Sequence, residues 1–332
     1  MSSVGFAYRA PWWLPGGNAQ TIWAAVASQR HWGPPPRWRR ERWATPDGDF
    51  IDVDQANHTT PPDAPLLVLF HGLEGSSSSQ YAVAFADFAT SQGIAFAVPH
   101  FRGCSGELNH APRAYHSGDF AEVEWILQQF ASAQPARPLL AVGVSLGGNA
   151  LLRWAGEMGD AAAQRVRAVA AVCAPLDLAA GGHAIGRGFN RLVYTRMFLR
   201  SMVPKALRKL EQHPGLFDRA SLLAARNLYE FDNLFTAPLH GFQGTDDYWS
   251  RASAKPVLHR IRVPALALNA RNDPFVPAAS LPTSSEAGPC VTLWQPAQGG
   301  HVGFPVSSGP FGLPGHVRAM PEAVGNWLLA HL

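Results

Sequence analysis

The chain has 332 residues, of which 47% are hydrophobic and 15% charged, and this composition excludes a disordered chain because it supplies ample apolar surface for a large core. Its formal net charge of +3 is too small for this length to indicate nucleic-acid binding, and no basic stretch interleaved with aromatic residues resembles a nucleic-acid-binding module. The three cysteines, Cys104, Cys173 and Cys290, lie far apart and favour neither a disulfide framework nor a zinc site.

The N-terminal region is not expected to act as a signal peptide or a membrane span. Arg9 and the turn-forming residues from Pro11 to Asn18 interrupt its apolar residues, so neither a signal-peptide core nor a membrane-spanning run is predicted. Together with the unpaired cysteines, this favours a reducing, cytoplasmic location. Residues 1–36 are rich in Trp, Pro and Gly, and we expect an arm packed on the domain, with one short helix from about Thr21 to Ser28.

Strand and helix signals alternate over the following part of the chain. Two strand-like runs flank Pro46-Asp47-Gly48, which is a hairpin signal. After this hairpin, strands and helices are predicted in turn from apolar periodicity and capping residues. They are strand Leu66–Phe70, helix from Ser78 or Ser79 to Gly93, strand Ile94–Val98, helix Gly118–Phe130, a strand after Pro138, and strand Val166–Cys173. This order predicts an α/β fold with a mostly parallel sheet covered by helices on both faces.

The alternation stops between residues 178 and 255, where helical spacing replaces it. We interpret 178–255 as a helical lid inserted into a core formed by 37–177 and 256–332. The core pattern resumes with strands at Ala265–Leu268 and Cys290–Trp294 and ends with a helix near Pro321–Leu329.

Within the predicted lid, the stretch from Arg187 to Lys209 is basic and amphipathic, with no acidic residue. We expect its apolar residues to line one helix face before Pro204 ends the helix: Phe189, Leu192, Val193, Met197 and Leu199. Two interpretations stay open, namely peripheral contact with an anionic membrane and a lid whose charged face is solvated.

The motif Gly143-Val144-Ser145-Leu146-Gly147 follows an apolar strand and precedes a helical segment. A serine at such a sharp turn exposes its hydroxyl above the sheet edge, and Gly143 and Gly147 allow the strand and the helix to approach closely. The context therefore predicts a nucleophile at Ser145.

A serine hydroxyl needs a base, and the base needs a group that orients it. Asp273 and His301 each follow a late predicted strand, so both are expected at the carboxyl edge of the sheet. The chain order Ser145, Asp273, His301 is the order of α/β-hydrolases. Asp177 is an alternative acid. His316 and His259 are alternative bases.

Backbone amides are expected to bind the oxyanion that forms during acyl transfer. Leu146 directly follows the nucleophile, and Leu73 lies in the turn His71-Gly72-Leu73 after an early strand. We interpret His71 and Gly72 as structural parts of this turn that direct the Leu73 amide.

Longer motifs narrow the assignment: Asn18-Ala19-Gln20-Thr21-Ile22, Thr45-Pro46-Asp47-Gly48, His71-Gly72-Leu73-Glu74-Gly75-Ser76, Arg102-Gly103-Cys104-Ser105-Gly106, Tyr115-His116-Ser117-Gly118-Asp119, Glu230-Phe231-Asp232 and Ala237-Pro238-Leu239-His240-Gly241-Phe242. With them the chain resembles the YheT-like branch of the α/β-hydrolase superfamily, which is related to eukaryotic abhydrolase-type lipases. The resemblance extends from about Pro11 to Phe304.

This resemblance implies a serine carboxylesterase or lipase-type acyl hydrolase, with the triad on Ser145, Asp273 and His301 and with neither a metal nor an organic cofactor. It also implies a polar network of Arg102, Tyr115, His116 and Asp119 that braces the loops. The expected substrate is a small-molecule or lipid-like ester. The long loop from Gly303 to Gly315 departs from the family pattern, and we expect it to reshape the mouth of the site. The alternatives are a lipase, phospholipase or thioesterase with the same triad, and a catalytically inactive binding protein of the same fold.

Overall fold

Short, almost wholly buried strands form the centre of the protein. A computed structural model describes residues 5–56, 59–308 and 315–332. The described residues form eight strands: β1 (Trp38–Ala44), β2 (Phe50–Ala56), β3 (Leu66–Phe70), β4 (Ala95–Pro99), β5 (Leu139–Val144), β6 (Ala168–Val172), β7 (Ala265–Leu268) and β8 (Val291–Trp294).

The strands form a single sheet in the order β1-β2-β4-β3-β5-β6-β7-β8. β1 and β2 pair antiparallel, and so do β2 and β4, whereas every later pair is parallel. The predicted mostly parallel sheet is confirmed, and its strands agree with the predicted runs to within two residues at each end.

Helices cover the sheet and form the segment between β6 and β7. They are α1 (Gly16–Val26), α2 (Gln80–Gln92), α3 (Phe120–Ala133), α4 (Leu146–Met158), α5 (Leu178–Ile185), α6 (Gly188–Asn190), α7 (Arg196–Gln212), α8 (Arg219–Ala224), α9 (Leu228–Phe231), α10 (Ala237–Leu239), α11 (Thr245–Ala252), α12 (Ser284–Ala287) and α13 (Ala319–Leu329).

The side chains of each parallel strand alternate between two cores. Val68 and Phe70 of β3 pack in one hydrophobic cluster with residues of α3 and α4. Leu67 and Leu69, on the opposite face, pack in a second cluster with residues of α2 and α13. Because successive side chains of a strand point to opposite faces, a strand covered on both faces needs apolar residues throughout, as β3 has.

The two ends of the segment 178–255 are joined to each other, and the C-terminal end is also bonded to α4. The buried Asn149 side chain donates to the carbonyls of Ser117 and Ala252, each at 2.9 Å, and accepts from the Ala254 N–H at 2.9 Å. At the other end, the Leu178 N–H donates to Ser253 Oγ at 2.9 Å. Asn149 follows Ser145 by one turn of α4, so the base of this segment is attached to the helix that begins at Ser145.

Two sequence predictions of helix boundaries are wrong. α1 begins at Gly16, five residues before the predicted start. α7 does not end at Pro204 but continues through it to Gln212. A proline inside a helix leaves one carbonyl of the preceding turn without its donor. Here that carbonyl belongs to Arg200, an exposed residue, where water can replace the missing bond.

The apolar residues of the predicted amphipathic stretch lie on α6, on α7 and on the π-helical turn Arg191–Thr195 between them, and most of them are exposed. Phe189, Leu192, Val193 and Met197 are 52%, 58%, 36% and 54% exposed, and only Leu199 packs against a hydrophobic cluster. The stretch 188–212 is held instead through four buried residues, Tyr194, Thr195, Ala206 and Lys209. We call Phe189, Leu192, Val193 and Met197 the lid patch.

Among the residues that the structure describes, no helix combines the length and apolar character that crossing a bilayer requires. Of the loop from Gly303 to Gly315, which we expect beside the site entrance, residues 309–314 lie outside the described residues.

Candidate active site

Ser145 lies at a strained turn between β5 and α4. Its backbone has φ 53° and ψ −118°, a conformation that non-glycine residues adopt rarely. A Cβ atom on Gly143 would collide with the Gly147 carbonyl, and one on Gly147 would collide with the Phe70 carbonyl. The two glycines therefore permit the tight approach of strand, helix and neighbouring turn, as the motif predicts.

The structure brings Ser145, His301 and Asp273 together. His301 Nε2 lies 2.9 Å from Ser145 Oγ, and His301 Nδ1 lies 2.8 Å from Asp273 Oδ2. Since an ionised carboxylate can only accept, Nδ1 carries the proton and Nε2 is free to accept from the serine hydroxyl. Asp273 Oδ1 also accepts from the Phe275 N–H at 2.7 Å, which fixes the carboxylate. His301 and Asp273 are 8% and 6% exposed.

The alternative acid and bases lie elsewhere. Asp177 caps α5, where its side chain accepts from the Ala180 N–H. His316 lies in a bridge with Val306 and stacks edge-on with Trp32. His259 lies in the 3-10 helix Lys255–Arg260. None of the three has a described contact with Ser145.

The turn after β3 lies against the nucleophile. Neither the Leu73 N–H nor the Leu146 N–H has a hydrogen-bond acceptor within the described part of the chain, and both residues line the same cavity as Ser145. Two unpaired amides beside a serine hydroxyl are the arrangement that binds a developing oxyanion.

His71 and Gly72 stabilise this turn. His71 Nε2 accepts from the Phe101 N–H at 3.0 Å, so Nδ1 carries the proton and donates to the Gly72 carbonyl at 2.8 Å. Burial lowers the pKa of His71 to about 3, which keeps the ring neutral. The Gly72 N–H donates to Tyr81 Oη at 2.9 Å.

The N-terminal helix holds the loops of the acid and the base, a role that the sequence analysis missed. Gln20 Oε1 accepts from the Gly299 N–H at 2.9 Å and from Asn272 Nδ2 at 3.0 Å. Thr21 Oγ1 accepts from the His301 N–H at 2.8 Å. The only signal for this role was the motif Asn18 to Ile22 itself, because the contacts join positions about 280 residues apart.

Three of the four polar residues expected to form one network are connected, and Tyr115 is separate from them. Arg113 joins the other three, because its guanidinium lies 2.5 Å from Asp119 Oδ2 and 3.9 Å from Glu122 Oε2, the partner of Arg102. Arg102 pairs with Asp49 at 2.8 Å and Glu122 at 2.6 Å. Tyr115 contacts Glu74. His116 Nε2 lies 3.9 Å from Asp119 Oδ2, and burial lowers the pKa of this histidine to about 4.

A cavity of about 160 Å³ opens in front of Ser145 and His301. Its walls are mostly apolar side chains from the segment between β6 and β7: Leu178, Ile185, Phe198, Met202, Phe231, Phe235 and Trp249. Phe275 closes the side next to the histidine, with ring centroids 4.2 Å apart. Such a lining suits a flexible apolar group better than a charged one.

Cys173 shares this site. The Cys173 sulfur, a carboxylate oxygen of Asp273 and a ring nitrogen of His301 all lie within 4.8 Å of one another, close enough to be considered as metal ligands. Burial raises the pKa of the Cys173 thiol well above its usual range, which favours the thiol over the thiolate that binds metals. The thiol accepts from the Val302 N–H at 3.2 Å. The donor set therefore fits a packed thiol beside a histidine better than a metal centre.

Comparison with known proteins agrees with this architecture. Residues 65–307 match the family described as alpha/beta hydrolase fold. The chain is 39% identical over 272 residues to the YheT esterase of Escherichia coli strain K12, covering 81% of this chain and 78% of that protein. It is 29% identical over 303 residues to the phospholipase ABHD3 of Homo sapiens, covering 88% and 72%.

Among solved structures, the Pyrococcus furiosus esterase Pf2001 superposes with a TM-score of 0.53 at 14% identity, covering 92% of this chain and 96% of that one. At this identity the likeness shows the fold alone. The family match over residues 65–307 and the similarity to YheT and ABHD3 assign the chain to a family. The chain belongs to the α/β-hydrolase fold family, in its YheT-like branch of esterase- and lipase-type hydrolases.

Proposed function

We propose that the protein hydrolyses carboxylic esters of small to medium acyl chains through an acyl-enzyme intermediate on Ser145. The observation that carries the proposal is the hydrogen-bonded line from Ser145 Oγ through His301 to Asp273, which opens into an apolar cavity. The same line argues against an inactive binding protein, which has no need for a strained serine aligned with a histidine.

The chemistry follows from the geometry. His301 Nε2 takes the Ser145 proton as Oγ attacks the acyl carbon, and Asp273 stabilises the resulting imidazolium. The amides of Leu73 and Leu146 bind the oxyanion, and His301 then returns the proton to the leaving alcohol. Water, activated by the same histidine, attacks the acyl-serine and releases the carboxylic acid.

The cavity and the relatives favour a lipid-like ester. The YheT protein is named an esterase, ABHD3 a phospholipase, and a Saccharomyces cerevisiae relative that is 28% identical over 275 residues a monoacylglycerol lipase. Enzymes with these names act on esters of acyl chains, and the apolar walls of the cavity suit an acyl chain. A lipase, phospholipase or thioesterase activity uses the same triad, so the cavity decides between them through differential binding of the transition state.

Serine-specific labelling tests the nucleophile. A fluorophosphonate probe should label the wild-type protein and the control Ser250→Ala, whose serine is exposed on α11, but not Ser145→Ala. Turnover of a short p-nitrophenyl ester should fall by several orders of magnitude in Ser145→Ala, on the order of 10⁶ as for loss of the nucleophile in a comparable triad. Retained turnover would refute the assignment.

A series of substrates then tests the acyl group. Rates for p-nitrophenyl esters of increasing chain length, an acyl thioester and a phospholipid should be highest for esters of small to medium chains. A preference for the thioester or the phospholipid would instead support the corresponding alternative.

We further propose that residues 178–255 act as a lid over the core of 37–177 and 256–332. Their helices supply most of the apolar cavity walls, and the arm of residues 1–36 contributes the contacts of Gln20 and Thr21.

The lid patch is proposed to touch an anionic membrane surface. Its four apolar residues are exposed beside Arg187, Arg191, Arg196 and Arg200, which are exposed as well. Exposed apolar side chains can enter the surface of a bilayer, and neighbouring arginines can pair with its acidic headgroups. A chain of aromatic contacts joins the patch to the site, since the Phe189 ring contacts the Tyr194 ring and the Tyr194 ring contacts the Phe275 ring.

Vesicle flotation tests the membrane proposal. The protein should float with vesicles that contain phosphatidylserine and not with pure phosphatidylcholine vesicles. Leu192→Glu should abolish flotation, whereas Leu223→Glu, a change at a leucine 52% exposed on α8, should not. Absence of flotation of the wild-type protein would reject the contact.

A further inference from the structure

Glu74 occupies an unusual place beside the oxyanion turn. It directly follows Leu73, and its backbone has φ 57°, in the left-handed region that non-glycine residues rarely adopt. Such a conformation persists only where the surroundings determine it. The contacts that hold Glu74 therefore also limit the orientation of the neighbouring Leu73 peptide.

Two side chains hold Glu74. Tyr115 Oη accepts from the Glu74 N–H at 2.9 Å and lies 3.0 Å from Glu74 Oε1, to which it donates. Lys205 Nζ lies 2.9 Å from Glu74 Oε2. The Tyr115 ring is itself fixed, because it stacks on Phe101 with an interplanar angle of 7°. Tyr115 and Lys205 thus make three polar contacts with Glu74, two of them from Tyr115.

The two holding residues come from different parts of the fold. Tyr115 belongs to the core, in the loop before α3, whereas Lys205 lies on α7 in the segment between β6 and β7. The side chains of Lys205 and Glu74 are 28% and 10% exposed, and both residues line the mostly apolar cavity. An ion pair with little water around it is stronger than one on the surface, and loss of one partner leaves the other charge uncompensated.

The Leu73 amide is thus fixed from both sides. Tyr81 and His71 fix Gly72 on one side, and Tyr115 and Lys205 fix Glu74 on the other. An oxyanion donor is effective only when it is held in place before the reaction. We propose that Lys205 is a positioning residue for acyl transfer: through Glu74, it holds the Leu73 amide toward the oxyanion, so that α7 takes part in forming the active site. This inference rests on the proposed function.

Steady-state kinetics on a soluble short-chain ester test it. Lys205→Met should lower kcat about tenfold, part of the 10²–10³-fold loss that removal of a whole oxyanion donor causes, while KM stays within about twofold. Lys205→Arg should restore most of kcat, because a guanidinium can still pair with Glu74. Arg208→Met, which removes an exposed cation from the same helix, should match the wild type.

Glu74→Gln gives an independent measurement, because it removes the charge and keeps the side-chain shape. Combined with Lys205→Met in a double-mutant cycle, it should add no further loss of kcat. Melting temperatures of all variants show whether the fold is kept, and if Lys205→Met does not fold, Glu74→Gln and Lys205→Arg supply the comparison.

Three outcomes overturn the inference: an unchanged kcat for both Lys205→Met and Glu74→Gln, a change confined to KM, or a kcat that Lys205→Arg does not recover. Each is distinct from failure of the proposed function, which would show as turnover retained by Ser145→Ala.

Discussion

Gln20 offers a sharp test of how the N-terminal helix supports the site. The side chain is fully buried and makes three hydrogen bonds, accepting from the Gly299 N–H at 2.9 Å and Asn272 Nδ2 at 3.0 Å and donating to the Leu14 carbonyl at 3.0 Å. Gln20→Leu keeps the approximate volume but leaves a buried amide and a buried carbonyl unpaired. At about 1–3 kcal/mol for each orphaned group, the free energy of unfolding should fall by about 3 kcal/mol.

Urea unfolding measures this loss, with Gln128→Leu as the control because Gln128 is an exposed glutamine of α3. Activity supplies a second readout. Gly299 and Asn272 adjoin the loops of His301 and Asp273, so kcat of the folded variant should fall about tenfold through misplaced catalytic groups. A loss of stability no larger than that of Gln128→Leu, with kcat unchanged, would refute the reasoning.

Two further predictions concern buried ionisable groups. Burial raises the pKa of Asp232 to about 6 from 3.8, so folding disfavours its ionised form, and the stability of the wild type relative to Asp232→Asn should decline by about 2 kcal/mol as pH rises from 4 to 7. Unfolding curves across this range measure the difference, and a constant difference would contradict the prediction. Burial also raises the pKa of Cys104 to about 12 and that of Cys173 well above its usual range, whereas Cys290 is only half-buried. Iodoacetamide at pH 8 should therefore modify the native protein at Cys290 alone, as peptide mass mapping would show, and labelling of either buried thiol before unfolding would count against it.

Local patterns were sufficient to predict most of the central sheet. β3 and β7 coincide with the predicted runs because a strand buried on both faces must be apolar throughout. The convergence of Ser145, Asp273 and His301 followed from their places after strands of one parallel sheet, which align at the same edge.

The errors arose where tertiary contacts outweigh local preference. Helix α1 begins at Gly16 although glycine is a poor helix former. The spacing of the lid patch left open whether its residues face solvent, since spacing shows which residues share a face but not what covers that face. Apart from the motif Asn18 to Ile22, no local signal predicted the contacts of Gln20, and none predicted the contact of Lys205 with Glu74, because the partners lie more than 100 residues away.

The hydrogen bonds that join Leu178 to Ser253 and the C-terminal end of the segment 178–255 to Asn149 have a consequence for the dynamics of that segment. A segment whose ends are fixed together behaves as a closed loop, and its two stems cannot separate without breaking the buried hydrogen bond from the Leu178 N–H to Ser253 Oγ. The C-terminal stem cannot leave α4 without breaking the buried hydrogen bonds of Asn149. Rotation of the whole segment about its base is therefore costly. We expect substrate entry to proceed by bending within the loop, with α7 moving while the stems stay in place, so that amide hydrogen exchange should be faster in α7 than at residues 252–254.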